Sequence, residues 1–227
     1  MRRMATTDAR PRIVLASASP RRRRLIEWLG LPVEMRSLGI DEPLDLSLPP
    51  EELAEHLAAS KALAGAWSAG PHDLVLGFDT IVVLDERILG KPGFDSEARQ
   101  MLHALSGRHH EVVTGVAIVI GGRLARSFAV TTDVEMHALG DDEIERWIAR
   151  GEHLGCAGAY NIEHHLARVT EDECFQNVAG LPLCHLYAEL ATGAFGDLVG
   201  ITPPVVRCDA ALARTCRLGP RLCGLIP

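Results

Sequence analysis

Two long β-forming runs, HEVVTGVAIVI (residues 110–120) and RLARSFAVTTDVEMHAL (residues 123–139), face each other across Gly121-Gly122. A Gly-Gly pair between such runs signals a two-residue hairpin, whose central positions need positive φ. That hairpin commits the chain to an antiparallel ladder around which every other element must be arranged. Upstream, LVLGFDTIVVL (residues 74–84) is an almost unbroken apolar run of the kind that fills a buried strand, and DER after it reads as a hairpin turn. RIVLAS (12–17) and PVEMRS (32–37) are predicted as shorter strands. Between them, SPRRRRLIEWLG (19–30) reads as a helix, with Ser19 as cap, Pro20 in the first turn and Gly30 at the end. Further helices are predicted over residues 51–67, 95–107, 141–151 and 181–195. In the first of these, Leu53, Leu57, Ser60 and Ala64 share one stripe; the second is expected to be capped and closed by Gly107. Helices and strands mixed in this way predict an α/β fold with a mixed sheet.

At 227 residues with 47% hydrophobic composition, the chain is long enough for one sizeable core. Three segments are expected: a basic leader (1–12), a main domain (13–195) and a C-terminal extension (196–227) that carries Cys208, Cys216 and Cys223. A net charge of −7 argues against a nucleic-acid binder that relies on a basic surface. No apolar stretch reaches the roughly 20 residues that span a bilayer, and the leader has no signal-peptide pattern. No membrane association and a cytoplasmic location are therefore expected. The six cysteines form no C-x-x-C pair, and the ten histidines show no zinc-ligand spacing.

Against that acidic background, the local clusters of positive charge matter. Ser17-Ala18-Ser19-Pro20-Arg21-Arg22 ends a strand and opens a helix, bringing backbone N–H groups, a helix dipole and guanidinium groups together. That is a phosphate cradle; the bland alternative is a solvated basic first turn, against which it counts that basic residues at a helix N-terminus oppose the dipole. Lys61 stands roughly 80° from Leu53 on the helical wheel, at the margin of the apolar stripe, where a lysine either snorkels or presents its amine to a cleft. Asp79 interrupts the apolar run, and a buried carboxylate must be paired, hydrogen-bonded, protonated or on a metal. Thr80 stands beside it, and Lys91-Pro92 follows after the turn. A carboxylate ringed by cations suits phosphoryl chemistry with a divalent metal; Glu42 is a candidate second carboxylate.

The motifs LASASPRR, IDE, SKA, GFDT, GKP, LSGRHHEVVTGVA, AGAY and NVAGLPL occur in that order between about Ile13 and Ala191. In them the chain resembles the Maf family of nucleoside triphosphate pyrophosphatases. The resemblance implies hydrolysis of a nucleoside triphosphate between its α and β phosphates, with Mg²⁺ or Mn²⁺ as cofactor. It also implies a mixed, twisted sheet with a central cleft, related to the inosine triphosphate pyrophosphatases, and a homodimer. Asp79 would accept the proton of the attacking water; Ser17, Arg22, Lys61 and Lys91 would hold the phosphates; Asp79 and Glu42 would serve the metal. Arg21 and Thr80 match the dTTP/UTP subgroup, whereas Glu163 stands where that subgroup has Gln and matches the 7-methyl-GTP subgroup. A carboxylate only accepts hydrogen bonds, which suits a guanine edge better than a uracil edge. The dTTP/UTP activity is the expectation, with 7-methyl-GTP as its alternative. A catalytically weakened nucleotide-binding module and a sugar-nucleotide transferase are rivals from other classes.

Overall fold

The computed structural model describes residues 12–36, 47–192, 195, 198 and 200–226. Its strands are β1 (Ile13–Ala16), β2 (Val33–Met35), β3 (Leu74–Leu84), β4 (Arg87–Leu89), β5 (His109–Ile120), β6 (Arg123–Met136) and β7 (Ala167–Arg168). The helices are α1 (Pro20–Ile26), α2 (Pro50–Ala66), α3 (Asp95–Leu105), α4 (Asp141–Ala149), α5 (Phe175–Val178), α6 (Leu183–Ala191), α7 (Val205–Leu212) and α8 (Leu218–Leu222). The sheet runs β2-β1-β3-β5-β6-β7, with β4 also paired to β3. β1 lies parallel to β2 and β3, and the remaining pairings are antiparallel. The expected mixed α/β architecture is what the chain adopts. Among the described residues, no helix is long and apolar enough to cross a membrane.

The register explains where a site can form. On one edge of β3, β5 pairs with every residue from Leu74 to Val83. On the other, β1 covers Leu74–Gly77 and β4 covers Val82–Leu84. The backbone from Phe78 to Ile81 is thus left without a strand neighbour on that edge, and the gap carries Asp79 and Thr80. A strand sends successive side chains to opposite faces. Phe78, Val82 and Leu84 enter the main core beneath α1, α3 and α4. Ile81 and Val83 pack with Leu53, Ala54 and Leu57 of α2. Asp79 therefore shares the α2 face and Thr80 the opposite one.

Helix α2 lies directly on the sheet because two strand positions have no side chain. A Cβ at Gly77 would collide with the Ala58 carbonyl and the Ala62 backbone, and one at Gly115 with the Ala54 carbonyl. The buried face of α2 accordingly runs through Leu53, Ala54, Leu57, Ala58, Ala62, Gly65 and Ala66. This corrects the expected stripe: Ser60 and Ala64 are only half-buried, because small residues on the neighbouring rows set the close approach. α3 begins after Phe94 with no side-chain cap, and Glu97 reaches back to accept from the Gly93 N–H at 2.7 Å. The Gly121-Gly122 turn has both φ values positive, as the hairpin requires. Two helices not anticipated from sequence, α7 and α8, occupy the C-terminal segment, which is fastened to the rest of the chain. The Thr202 N–H donates to the Leu29 carbonyl at 3.0 Å, and Arg214 to the Val169 carbonyl at 2.6 Å.

Candidate active site

The gap beside β3 opens into a cleft of about 550 Å³, lined by Ser17, Arg21, Arg22, Lys61, Lys91 and Cys156 among others. That volume falls in the range of small-molecule sites. A narrower recess of about 60 Å³ continues from it past Asp79 and Thr80 to Tyr160, Val178 and Gly180. Seven of the nine residues expected from sequence thus meet in one place, contributed by the β1–α1 loop, α1, α2, β3 and the segment after β4.

Lys61 comes to Asp79 because α2 rests on Gly77 and Gly115, and the two side chains form an ion pair, both largely shielded. This is the counter-charge that a carboxylate in an apolar strand needs. Ser19 caps α1 by accepting from the Arg22 N–H at 3.4 Å, and Ser17 Oγ accepts from the Ser19 N–H at 3.2 Å. Arg22 is the most committed cation. Its guanidinium donates to the Phe78 carbonyl at 2.9 Å, the Gly180 carbonyl at 2.7 Å and Thr80 Oγ1 at 2.9 Å, and lies 5.8 Å from the Phe78 ring centroid. It closes the unpaired edge of β3 with side-chain donors in place of a strand. Burial lowers its pKa to about 10, opposed by Asp79, so it stays charged at neutral pH. Three of its five N–H groups are spent on the protein, so it offers the cleft its positive field and the remaining two donors.

Arg21 and Lys91 are placed differently. Arg21 Nη1 donates to Cys156 Sγ at 3.3 Å, and its buried Nε has no partner. Lys91 opens to solvent, yet the cleft walls strip part of its hydration and Arg22 repels it, so its pKa is lowered. Its position is held from behind, since the Gly158 N–H donates to the carbonyl of Gly90 at 3.0 Å. Among the described residues, four cations and one carboxylate face the cleft, in a chain of net charge −7. That concentration of positive charge suits a polyphosphate, whose oxygens spread several negative charges over a few ångströms.

Glu163 is not in this group. It forms an ion pair with Arg24 in a separate groove that includes Trp28, Arg168 and Arg214. Glu42 lies outside the described residues. Two contributors escaped sequence reading. Thr114 is fully buried, shares a hydrogen bond with Thr80 at 2.9 Å and donates to the Asn177 carbonyl at 3.0 Å. Asn177 in turn donates to the Val112 and Val130 carbonyls at 3.0 and 2.9 Å, fixing the loop that offers Gly180 to Arg22. Thr114 carried a usable signal, the same polar interruption of an apolar run that marked Asp79.

Among the described residues, no group of three or more His, Cys, Asp and Glu side chains is arranged to hold a metal. Asp79 is the carboxylate among the described cleft residues, and a hard divalent cation is commonly held by one or two carboxylates together with substrate phosphates and water.

A family model described as Maf-like protein matches residues 12–193. A dTTP/UTP pyrophosphatase of Pelotomaculum thermopropionicum is 43% identical over 177 residues, covering 77% of this chain and 92% of that protein. One of Chlorobaculum parvum is 42% identical over 189 residues, covering 80% and 94%. One of Moorella thermoacetica is 46% identical over 185 residues, covering 79% and 94%. Among solved structures, a nucleoside-triphosphatase / dITP/XTP pyrophosphatase from Mycobacterium abscessus overlaps 56% of this chain and 75% of that chain, with a TM-score of 0.36 and 19% identity. By the family match over most of its length and by these relatives, the chain belongs to the Maf-like protein family.

Proposed function

We propose that the protein is a nucleoside triphosphate pyrophosphatase that hydrolyses dTTP or UTP between the α and β phosphates, releasing the nucleoside monophosphate and pyrophosphate. The observation that carries this reading is the pairing of Asp79 with Lys61 inside a cleft whose other charged side chains, among the described residues, are all cations. The names of the relatives supply the substrate class.

Asp79 accepts the proton of a water that attacks the α phosphorus, and Lys61 orients the carboxylate for it. Arg21, Lys91 and the Ser17 hydroxyl receive the phosphate oxygens, and Arg22 adds its charge from the cleft wall. Pyrophosphate departs as the P–O bond to the β phosphate breaks, and the proton leaves Asp79 for solvent. A divalent cation held by Asp79 and the substrate phosphates would neutralise developing charge on the leaving group. Arg21 and Thr80 are the residues read as favouring a pyrimidine base, and both line the cleft or its recess, whereas Glu163 is occupied by Arg24 in another groove.

The test is pyrophosphate release from dTTP, UTP, CTP, GTP and 7-methyl-GTP with Mg²⁺ and then Mn²⁺, for the wild type and Asp79→Asn. Release from dTTP and UTP is expected, falling about 10²–10⁴-fold in a folded variant that still binds nucleotide. Unchanged turnover in Asp79→Asn would remove the catalytic role of that residue. Tight binding without turnover in the wild type would convert the protein into a binding module, and preference for 7-methyl-GTP would overturn the base assignment.

A further inference from the structure

Five of the six cysteines gather where the C-terminal segment meets the domain. Cys174 and Cys208 are buried and, with Cys184 and Cys216, line an apolar cavity of about 20 Å³. Cys184 lies on α6 of the matched domain, whereas Cys208, Cys216 and Cys223 all lie beyond the matched residues 12–193. Helix α8 presses on α6 at Gly219, where a Cβ would sit 3.2 Å from Cys184 Sγ and 3.6 Å from Cys216 Sγ. The Cys223 N–H donates to the Gly219 carbonyl at 3.0 Å, which places Cys223 one helical turn on from Gly219 and on the same face. That face meets Cys184, so the geometry of α8 brings Cys223 to the same side of the helix as the Cys184 sulfur.

The chemistry of the cluster is uneven. Burial pushes the Cys174 and Cys208 thiols up to about 12 and about 11, and Cys184 is raised by Cys223 and by burial, so all three stay protonated and Cys223 is left as the attacking thiol. Cys223 is only half-buried, and the neighbouring Cys184 thiol holds it below the ordinary thiol value against the opposing effect of burial. A partly exposed thiol with a second thiol in contact is the arrangement in which oxidation ends in a disulfide rather than in higher oxidation.

We propose that Cys184 and Cys223 form a reversible, peroxide-sensitive dithiol that fastens the C-terminal helix to the domain. The Cys223 thiolate attacks one oxygen of a hydroperoxide; the O–O bond breaks, hydroxide or alkoxide leaves, and the sulfur is oxidised to a sulfenic acid. The Cys184 sulfur then displaces the sulfenic hydroxyl, losing its own proton, so that an S–S bond forms and water departs. Two thiols are oxidised and one peroxide is reduced; a dithiol reductant reverses the change by exchange. The clip tightens a segment that already braces the site from outside. Arg207 donates to the Glu27 carbonyl just beyond α1 at 3.2 Å, and Gln176, next to Asn177, donates to Cys208 Sγ at 3.7 Å.

Tryptic mapping of the full chain tests this, because cleavage after Arg221 leaves Cys223 as the sole cysteine of the peptide LCGLIP. Fully reduced protein is treated with stoichiometric hydrogen peroxide, digested without reductant and sequenced by tandem mass spectrometry. The expected product joins LCGLIP to residues 169–207 through Cys184, disappears on adding dithiothreitol and persists in Cys174→Ser. It should be absent from Cys223→Ser, which should fold and, when reduced, retain wild-type activity. Cys223 left free, carried only to the sulfinic acid, or joined to Cys174, Cys208 or Cys216 would overturn the proposal.

Discussion

Arg22 and Lys91 carry the same formal charge, and the fold uses them differently. Arg22 is held by three protein acceptors along the open edge of β3, so its loss should loosen the strand as well as weaken the substrate. No hydrogen bond or ion pair to Lys91 occurs among the described residues, and its pKa is lowered from 10.5 by lost hydration and by Arg22. Its ammonium is present below that lowered value and lost above it. The KM for dTTP is therefore expected to rise on passing from neutral pH towards 10.5, before an ordinary lysine would titrate. Lys91→Arg should delay the rise to higher pH, because arginine remains charged throughout. A KM that is flat over this interval in the wild type would show that Lys91 does not hold the phosphates. At this scale the signals in the sequence differ: Ser17 and Arg21 stand where a strand opens into a helix, Lys61 stands at the margin of an apolar stripe, and Asp79, with Thr80 and Lys91 near it, interrupts an apolar run. Glu163 was singled out by its place in a motif, and that place says nothing about whether Arg24 lies within reach.

Helix α2 and strand β3 form the working unit of the site, and two glycines set the distance between them. Gly115→Ala should drive its methyl into the Ala54 carbonyl and lift α2 from the sheet. A loss of about 1–3 kcal/mol in urea unfolding is expected, as for other overpacked interfaces. Turnover should fall with it, since Lys61 would no longer reach Asp79; full activity in this variant would detach the ion pair from catalysis. On the opposite face, Asn177→Ala should strand two buried carbonyls, of Val112 and Val130, at a cost of about 2–4 kcal/mol by the same assay. An unchanged unfolding midpoint would mean that water or a neighbour replaces the amide. Most elements were readable because period and punctuation agree, as in the β5–β6 hairpin. α5, α7 and α8 were not, being short and held by contacts such as Arg214 to Val169 rather than by periodicity.

For the molecule as a whole, pH stability should be shaped by His110, which is buried against Tyr160 with Nε2 and Oη 2.8 Å apart. Burial lowers its pKa from 6.5 to about 4. Below 6.5 the unfolded chain takes up a proton that the folded protein refuses. Stability present above 6.5 is thus lost as the pH falls towards about 4, by about 3 kcal/mol in all. His110→Gln should flatten that part of a plot of unfolding free energy against pH, and an unaltered slope would assign acid lability elsewhere.

By itself the sequence determined the alternation of helices and strands, the long hairpin, and the presence of an acid and several cations where an apolar core was otherwise expected. These are properties of neighbouring residues, set by a period of two in strands, 3.6 in helices and the turn chemistry between them. Only the tertiary structure decided that β1 ends at the level of Gly77 while β4 begins at Val82, leaving an open edge for Arg22 to close. It also decided that Glu163 turns to Arg24 and that Cys223 meets Cys184. Such outcomes depend on strand register and on close approach between segments remote in sequence, and local pattern carries no record of either.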